Sequence, residues 1–224
     1  MQTADTFIVC YVTDRHSLEL PAGGDREAVL AQQIETATRA GVHWVQIREK
    51  DLPARKLADL TRAAIRVCKN LPQAPGRSEL RILVNDRWDV AWAAGAGGVH
   101  AGEKSLPIRA LTEERRASGL RNFLIGASCH SLNGARNAAQ EGADYLFFGP
   151  IFATPTKAEF GAPQGLRKLE EVCGAVSIPV IAIGGVTVAN AAACREAGAA
   201  GIAAIRLFQE GGDLAEIVVK LTAK

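Results

Sequence analysis

The chain has 224 residues, 48% hydrophobic and 22% charged. A chain of this length buries roughly 70–75% of the surface it exposes when unfolded, so it needs no disulfide or metal staple to hold a core. Its 26 basic and 24 acidic residues leave a net charge of +2, which excludes the cationic footprint of a nucleic-acid binder or a membrane-surface protein.

In chain order, the first apolar run is Phe7 to Val12, with a strand expected over Ile8 to Val12. Six apolar residues followed at once by Thr13-Asp14-Arg15 are too short and wrongly flanked for a secretory leader, so the chain is expected to stay in the cytoplasm. The turn after this strand, Thr13-Asp14-Arg15-His16, lacks GxGxxG and argues against dinucleotide binding. An amphipathic helix follows, with Leu30, Ile34 and Ala37 on one face. Ala40-Gly41-Val42 then leads into a second strand, Trp44 to Arg48. Leu57, Leu60, Ala64 and Val67 mark the next helix, and Asn70 to Glu79, with Pro72, Pro75 and Gly76, reads as a surface connection rather than a domain boundary.

The third strand is Arg81 to Asn85. Trp88 and Trp92, four apart on the helix after it, are expected in the core. Further runs at Gly98 to His100, Phe123 to Ser128, Asp144 to Gly149, Pro179 to Ile183 and Gly201 to Ile205 bring the strand count to eight, each separated from the next by a helix-period segment. Glycines at 41, 142 and 198 sit where left-handed helix caps belong. The uncharged stretch Ser177 to Cys194 contains Pro179, Gly184, Gly185 and Asn190, and so reads as strand, glycine turn and helix start rather than a membrane span. Five cysteines, Cys10, Cys68, Cys129, Cys173 and Cys194, are odd in number and lack CxxC spacing, which argues for reduced thiols and against a structural zinc. Eight strand-helix units predict an α/β fold, a single-domain (β/α)8 TIM barrel over residues 1–224.

In such a barrel the chemistry lies at the C-terminal strand ends. Gln46, Arg48 and Lys50 share parity there and are expected to face the mouth, the alternative for the two cations being rim ion pairs with Glu49 or Asp51. Asn85 and Asp86 end the third strand; Asp86 suits either Mg2+ or the cap of the next helix. His100 and the Ser128-Cys129-His130-Ser131 stretch follow, with His130 a candidate acid or base and Cys129 turned into packing. The loop Gly149 to Lys157 offers Thr154, Thr156 and Lys157, and Gly184-Gly185-Val186-Thr187 offers backbone N–H groups. Cations, hydroxyls and glycine backbone on one rim suit a phosphate; the plain alternative for the paired glycines is a tight corner.

Gln46-Ile47-Arg48-Glu49-Lys50, Val84-Asn85-Asp86-Arg87, Gly98-Val99-His100, Gly126-Ala127-Ser128-Cys129-His130-Ser131, Gly142-Ala143-Asp144-Tyr145, Gly149-Pro150-Ile151-Phe152 with Thr154-Pro155-Thr156-Lys157, and Ala182-Ile183-Gly184-Gly185 occur together in this chain. In order and spacing they resemble the thiamine-phosphate synthase and thiazole tautomerase superfamily. The resemblance implies a synthase that joins hydroxymethylpyrimidine diphosphate to thiazole phosphate, giving thiamine monophosphate and pyrophosphate. It implies that Arg48, Lys50, Asn85, Ser128 and Lys157 hold the diphosphate, that Asp86 ligates Mg2+, that Gln46 contacts the pyrimidine, and that Thr154, Thr156 and Gly185 position the thiazole phosphate. The implied partners are these small phosphorylated pyrimidine and thiazole substrates, with no nucleic acid and no membrane; a homo-oligomer is allowed but not required. Two positions depart from the synthase pattern. Ser105 stands where a second metal-binding aspartate is usual, and Arg206 stands where a small hydroxyl residue is usual. They point toward two alternatives: a metal-independent thiazole tautomerase using His130, and a non-catalytic thiazole phosphate binder.

Overall fold

The computed structural model describes residues 6–70, 80–154 and 162–223. Eight parallel strands, β1 (Ile8–Val12), β2 (Trp44–Ile47), β3 (Arg81–Asn85), β4 (Gly98–Ala101), β5 (Leu124–Cys129), β6 (Tyr145–Phe148), β7 (Val180–Ile183) and β8 (Gly201–Ala204), close into a barrel in sequence order. The ring is completed by β8 pairing with β1, Ile8 opposite Gly201. The helices α1 (Arg26–Ala40), α2 (Ala54–Asn70), α3 (Trp88–Ala94), α4 (Ile108–Ala117), α5 (Leu132–Gln140), α6 (Gly165–Ala175), α7 (Ala191–Glu196) and α8 (Leu214–Thr222) alternate with the strands. Each strand matches its expected run to within two residues, which leaves Arg48 and Gly149 just past the ends of β2 and β6. Among the described residues no helix is long and apolar enough to cross a membrane.

Strand parity divides the apolar residues into two layers. Val9, Val45, Ile47, Val84, Val99, Ile125, Leu146 and Ile202 face the helices, whereas Ile8, Cys10, Val12, Trp44, Leu83, Tyr145, Phe147 and Ile181 fill the barrel. The interior is an aromatic plug: the rings of Trp44 and Tyr145 lie 4.7 Å apart, and His100 lies 4.2 Å from Phe147. Room for it comes from inward-facing glycine on β5, since a Cβ at Gly126 would stand 2.1 Å from the Tyr145 ring. Volume is thus traded between facing strands, as close packing demands.

The helix ends follow their local chemistry. Asp25, Ser131 and Asp213 accept backbone N–H bonds at the starts of α1, α5 and α8, and Gly41 closes α1 in the left-handed conformation (φ 106°). Ser177 to Cys194 is strand, glycine turn and helix start, as its composition predicts. Trp88 is buried and meets Phe123 edge-on at 4.9 Å. Trp92 overturns its expected core placement, with 52% exposure: it sits near the end of a seven-residue helix, on a flank half open to solvent. The five cysteines are free thiols; Cys10, Cys129 and Cys194 are buried.

Candidate functional site

The mouth of the barrel is built from one side chain passing to the next. Gln46 at the end of β2 donates from Nε2 to Asn85 Oδ1 at the end of β3 (3.0 Å), and Asn85 Nδ2 donates to Asp86 Oδ2 (2.7 Å). Asp86 has φ 61°, the single non-glycine residue in the left-handed region among those described. Such a conformation is sparsely populated and is found where surrounding contacts over-determine it. Here they do so: Asp86 Oδ1 accepts from Gly102 N (3.1 Å) and from the Ser105 hydroxyl. Of the two roles open to it from spacing, helix capping is excluded, because the first residue before α3 is Arg87 and no side chain caps that helix. Ser105, on the β4–α4 loop, thus spends its hydroxyl on the Asp86 carboxylate.

The two cations after β2 are set by their neighbours. Thr13 is fully buried; its hydroxyl donates to Glu49 Oε1 (2.6 Å) and accepts from Arg48 N (2.9 Å). Glu49, its side chain 1% exposed, also accepts from the Arg15 backbone N–H and from the Arg15 guanidinium (3.1 Å). That guanidinium reaches on to Asp51 through two 2.6 Å bonds, and His16 contacts Asp51 at 3.0 Å. Arg15 above all holds the Asp51 carboxyl well below the usual carboxylate range. The rim-ion-pair alternative for Arg48 and Lys50 is therefore overturned, because both candidate carboxylates are drawn to the β1 loop. Among the described residues the side chains of Arg48 and Lys50 have no hydrogen-bond or ion-pair partner. Lys50, Asn85 and Asp86 border one cavity of about 240 Å3. Lys50, in the wall of that cavity beside the Arg15-paired Glu49, is a cation suited to an anion there, and Arg48 stands two residues before it.

Deeper in the mouth, His100 is 1% exposed and bridges two hydroxyls, with Nδ1 3.0 Å from the Tyr145 oxygen and Nε2 2.9 Å from Ser128 Oγ. Burial pushes its imidazole down to about 3, partly opposed by the Asp86 charge, so the ring is neutral at ordinary pH. Burial also raises the Tyr145 phenol well above its usual value.

On the far rim, the loop after β6 is zipped to the loop after β7: Ile151 N donates to Ile183 O and Phe152 N to Gly184 O, both at 3.0 Å. Gly184 and Gly185 have φ 92° and 68°, and a Cβ on Gly185 would stand 2.7 Å from Phe152 Cβ. The close corner is thus a real requirement for these glycines, alongside any ligand contact. Thr154 Oγ1 is buried and has no hydrogen-bond partner among the described residues, which leaves a polar group to be satisfied there. Thr156 and Lys157 lie outside the described residues. His130 stands elsewhere: its Nδ1 is bonded to Gly149 O, and it lines a separate cavity of about 190 Å3 with Gln164, Lys168 and Glu171 along α6. Arg206, after β8, pairs with Glu210 at 3.4 Å.

No group of three or more His, Cys, Asp or Glu side chains able to hold a metal occurs among the described residues. The donor set at Asp86 is one carboxylate with a hydroxyl beside it. That suits Mg2+ only when substrate phosphate oxygens and water complete the shell, which is a common way for this ion to be held. Thr13, Arg15 and Tyr145 are structural members of the site that sequence reasoning does not single out; the one signal for the first two is their position directly after β1, where barrel loops carry function.

Residues 10–208 match the family described as Thiamine monophosphate synthase. A thiamine-phosphate synthase of Chloroflexus aurantiacus is 42% identical over 190 residues, covering 85% of this chain and 82% of that protein. One of Roseiflexus castenholzii is 40% identical over 198 residues, covering 88% and 79%. The solved structure of a thiamine phosphate pyrophosphorylase from Pyrococcus furiosus superposes with a TM-score of 0.79 at 29% identity, covering 97% of this chain and 95% of the other.

Proposed function

This chain belongs to the thiamine monophosphate synthase family, and from that premise we propose how its residues carry the reaction. It is a transferase of thiamine biosynthesis, a thiamine-phosphate synthase. In the reading proposed, hydroxymethylpyrimidine diphosphate loses pyrophosphate, and the thiazole nitrogen of thiazole phosphate bonds to the resulting pyrimidinylmethyl carbon. The observation that carries it is Lys50, without a partner among the described residues, on the cavity it shares with Asn85 and Asp86, with Arg48, likewise without a partner there, two residues before it.

As the C–O bond breaks, negative charge gathers on the departing diphosphate, and fixed positive charge already facing it lowers that barrier without reorganising. Arg48 and Lys50 supply the charge, Asn85 and Ser128 supply hydrogen bonds, and Lys157 is assigned to the same group. Gln46, its amide nitrogen committed to Asn85, presents its carbonyl oxygen to the pyrimidine amino group. Thr154, Thr156 and the Gly185 backbone receive the thiazole phosphate, where the Thr154 hydroxyl, without a partner among the described residues, is ready to bond it. Mg2+, held by Asp86 with Ser105 beside it and completed by phosphate oxygens, would neutralise the leaving group further. The His130 position, on a cavity apart from Lys50 and Asp86, favours this reading over a His130-based tautomerase. The substrates are small phosphorylated molecules.

The test supplies both substrates to the pure protein with and without EDTA. Pyrophosphate release that needs thiazole phosphate and Mg2+, and that falls at least a hundredfold in Asp86→Ala and Lys157→Ala, is expected. Isomerisation of a thiazole carboxylate phosphate in EDTA, abolished by His130→Ala alone, would overturn it.

A further inference from the structure

We infer that Tyr145 and His100 are positioning residues that lock the Ser128 hydroxyl with its proton aimed out of the barrel interior, as a donor to the bound anion. The inference rests on the diphosphate reading for the identity of that anion and on geometry for the direction of the proton.

A neutral imidazole has one N–H and one bare nitrogen, so a histidine between two hydroxyls allows two polarities. In the first, Tyr145 O–H donates to Nδ1 and Nε2–H donates to Ser128 Oγ. In the second, Nδ1–H donates to Tyr145 and Ser128 O–H donates to Nε2. The distances, 3.0 Å and 2.9 Å, fit either. Burial separates them. Tyr145 is 1% exposed, its ring hemmed by Trp44, Phe147 and Gly126, and its hydroxyl has no second partner among the described residues. In the second polarity the phenolic proton therefore points into an apolar plug with nothing to accept it, which is the costly case for a buried donor. In the first polarity every buried proton is used, and the single proton left over is that of Ser128. Ser128 is the one member of the three that is partly exposed, and it has no other hydrogen-bond partner in the described structure. An anion at the mouth needs a donor there, and the second polarity would present it with oxygen lone pairs instead. The chain of bonds thus transmits a preference from the barrel interior to its mouth with no charge moved and no proton transferred.

The test is a 15N NMR measurement of the His100 ring in the intact protein together with pyrophosphate binding in the presence of Mg2+. The Nε2-protonated tautomer is expected. Tyr145→Phe should weaken pyrophosphate binding by about fivefold to tenfold, of the order of one charge-assisted hydrogen bond. The same substitution in a Ser128→Ala background should weaken it no further, a result that a merely structural role for Tyr145 would not give. An Nδ1-protonated ring in the wild type overturns the proposal and leaves the synthase reading standing. Equal losses from Tyr145→Phe with and without Ser128 also overturn it. A wild type that takes no pyrophosphate at all sinks the diphosphate reading instead, while the tautomer still decides the relay.

Discussion

Replacing Arg15 with methionine keeps most of the aliphatic stem and removes the charge that Glu49 faces. Glu49 is 1% exposed at the side chain, and among the described residues its carboxylate then keeps the Thr13 hydroxyl and the Arg15 backbone N–H as partners. Removing one partner from a buried ion pair costs about 3–5 kcal/mol; with these neutral donors retained, the expected loss is about 2–3 kcal/mol. With an m-value of about 2–3 kcal/mol/M, the urea midpoint should fall by roughly 1 M. Glu49→Gln removes the stranded charge, so adding Arg15→Met to it should cost less than about 1 kcal/mol, and the double-mutant cycle should give a coupling of about 1–2 kcal/mol. The Michaelis constant for the diphosphate substrate should rise in Arg15→Met, since a carboxylate released beside Arg48 and Lys50 competes for them. An unchanged midpoint with coupling near zero would refute the claim that Arg15 holds the buried Glu49 carboxylate in an ion pair.

Two further outcomes are expected. Gly185→Ala, with φ 68° and a Cβ 2.7 Å from Phe152, should lower stability by about 2 kcal/mol or more in denaturant titrations and weaken binding of thiazole phosphate; wild-type values for both would contradict the packed corner. The folded-state pKa of His100 is depressed to about 3, so between that value and the unfolded value of about 6.5 the unfolded chain binds the extra proton. Stability should therefore be fully present above pH 6.5 and fall as pH drops, by about 2 kcal/mol between pH 7 and pH 5 from this group, and the His100 ring signals should not titrate above pH 5.

The barrel was legible because strands covered on both faces are written as short apolar runs, and because glycine is placed where helices must turn back, as at Gly41, Gly142 and Gly198. Trp92 was not, since four-residue spacing tells which residues share a side of α3 and not whether anything lies against that side. Strand parity puts Gln46, Arg48 and Lys50 on one side of the chain, and Gln46 is found at the mouth, bonded to Asn85. It could not tell which of two loops would claim Glu49 and Asp51, because that choice depends on Arg15, more than thirty positions away in sequence. Nor could it assign Asp86, whose carboxylate is directed by a left-handed backbone that no spacing encodes. Ser105 stood out in the sequence as a substitution; its bond to Asp86 is visible only in three dimensions.

The zipped loops beyond β6 and β7 have a consequence for anyone reshaping this enzyme. Residues 150–153 and 184–185 share backbone bonds and interlock at a spacing that leaves no room for a methyl group, so they respond to mutation as one rigid jaw rather than as two adjustable segments. Altered selectivity toward the thiazole portion should come from exchanging the two stretches together, and grafting either one alone should give misfolded or inert chimaeras.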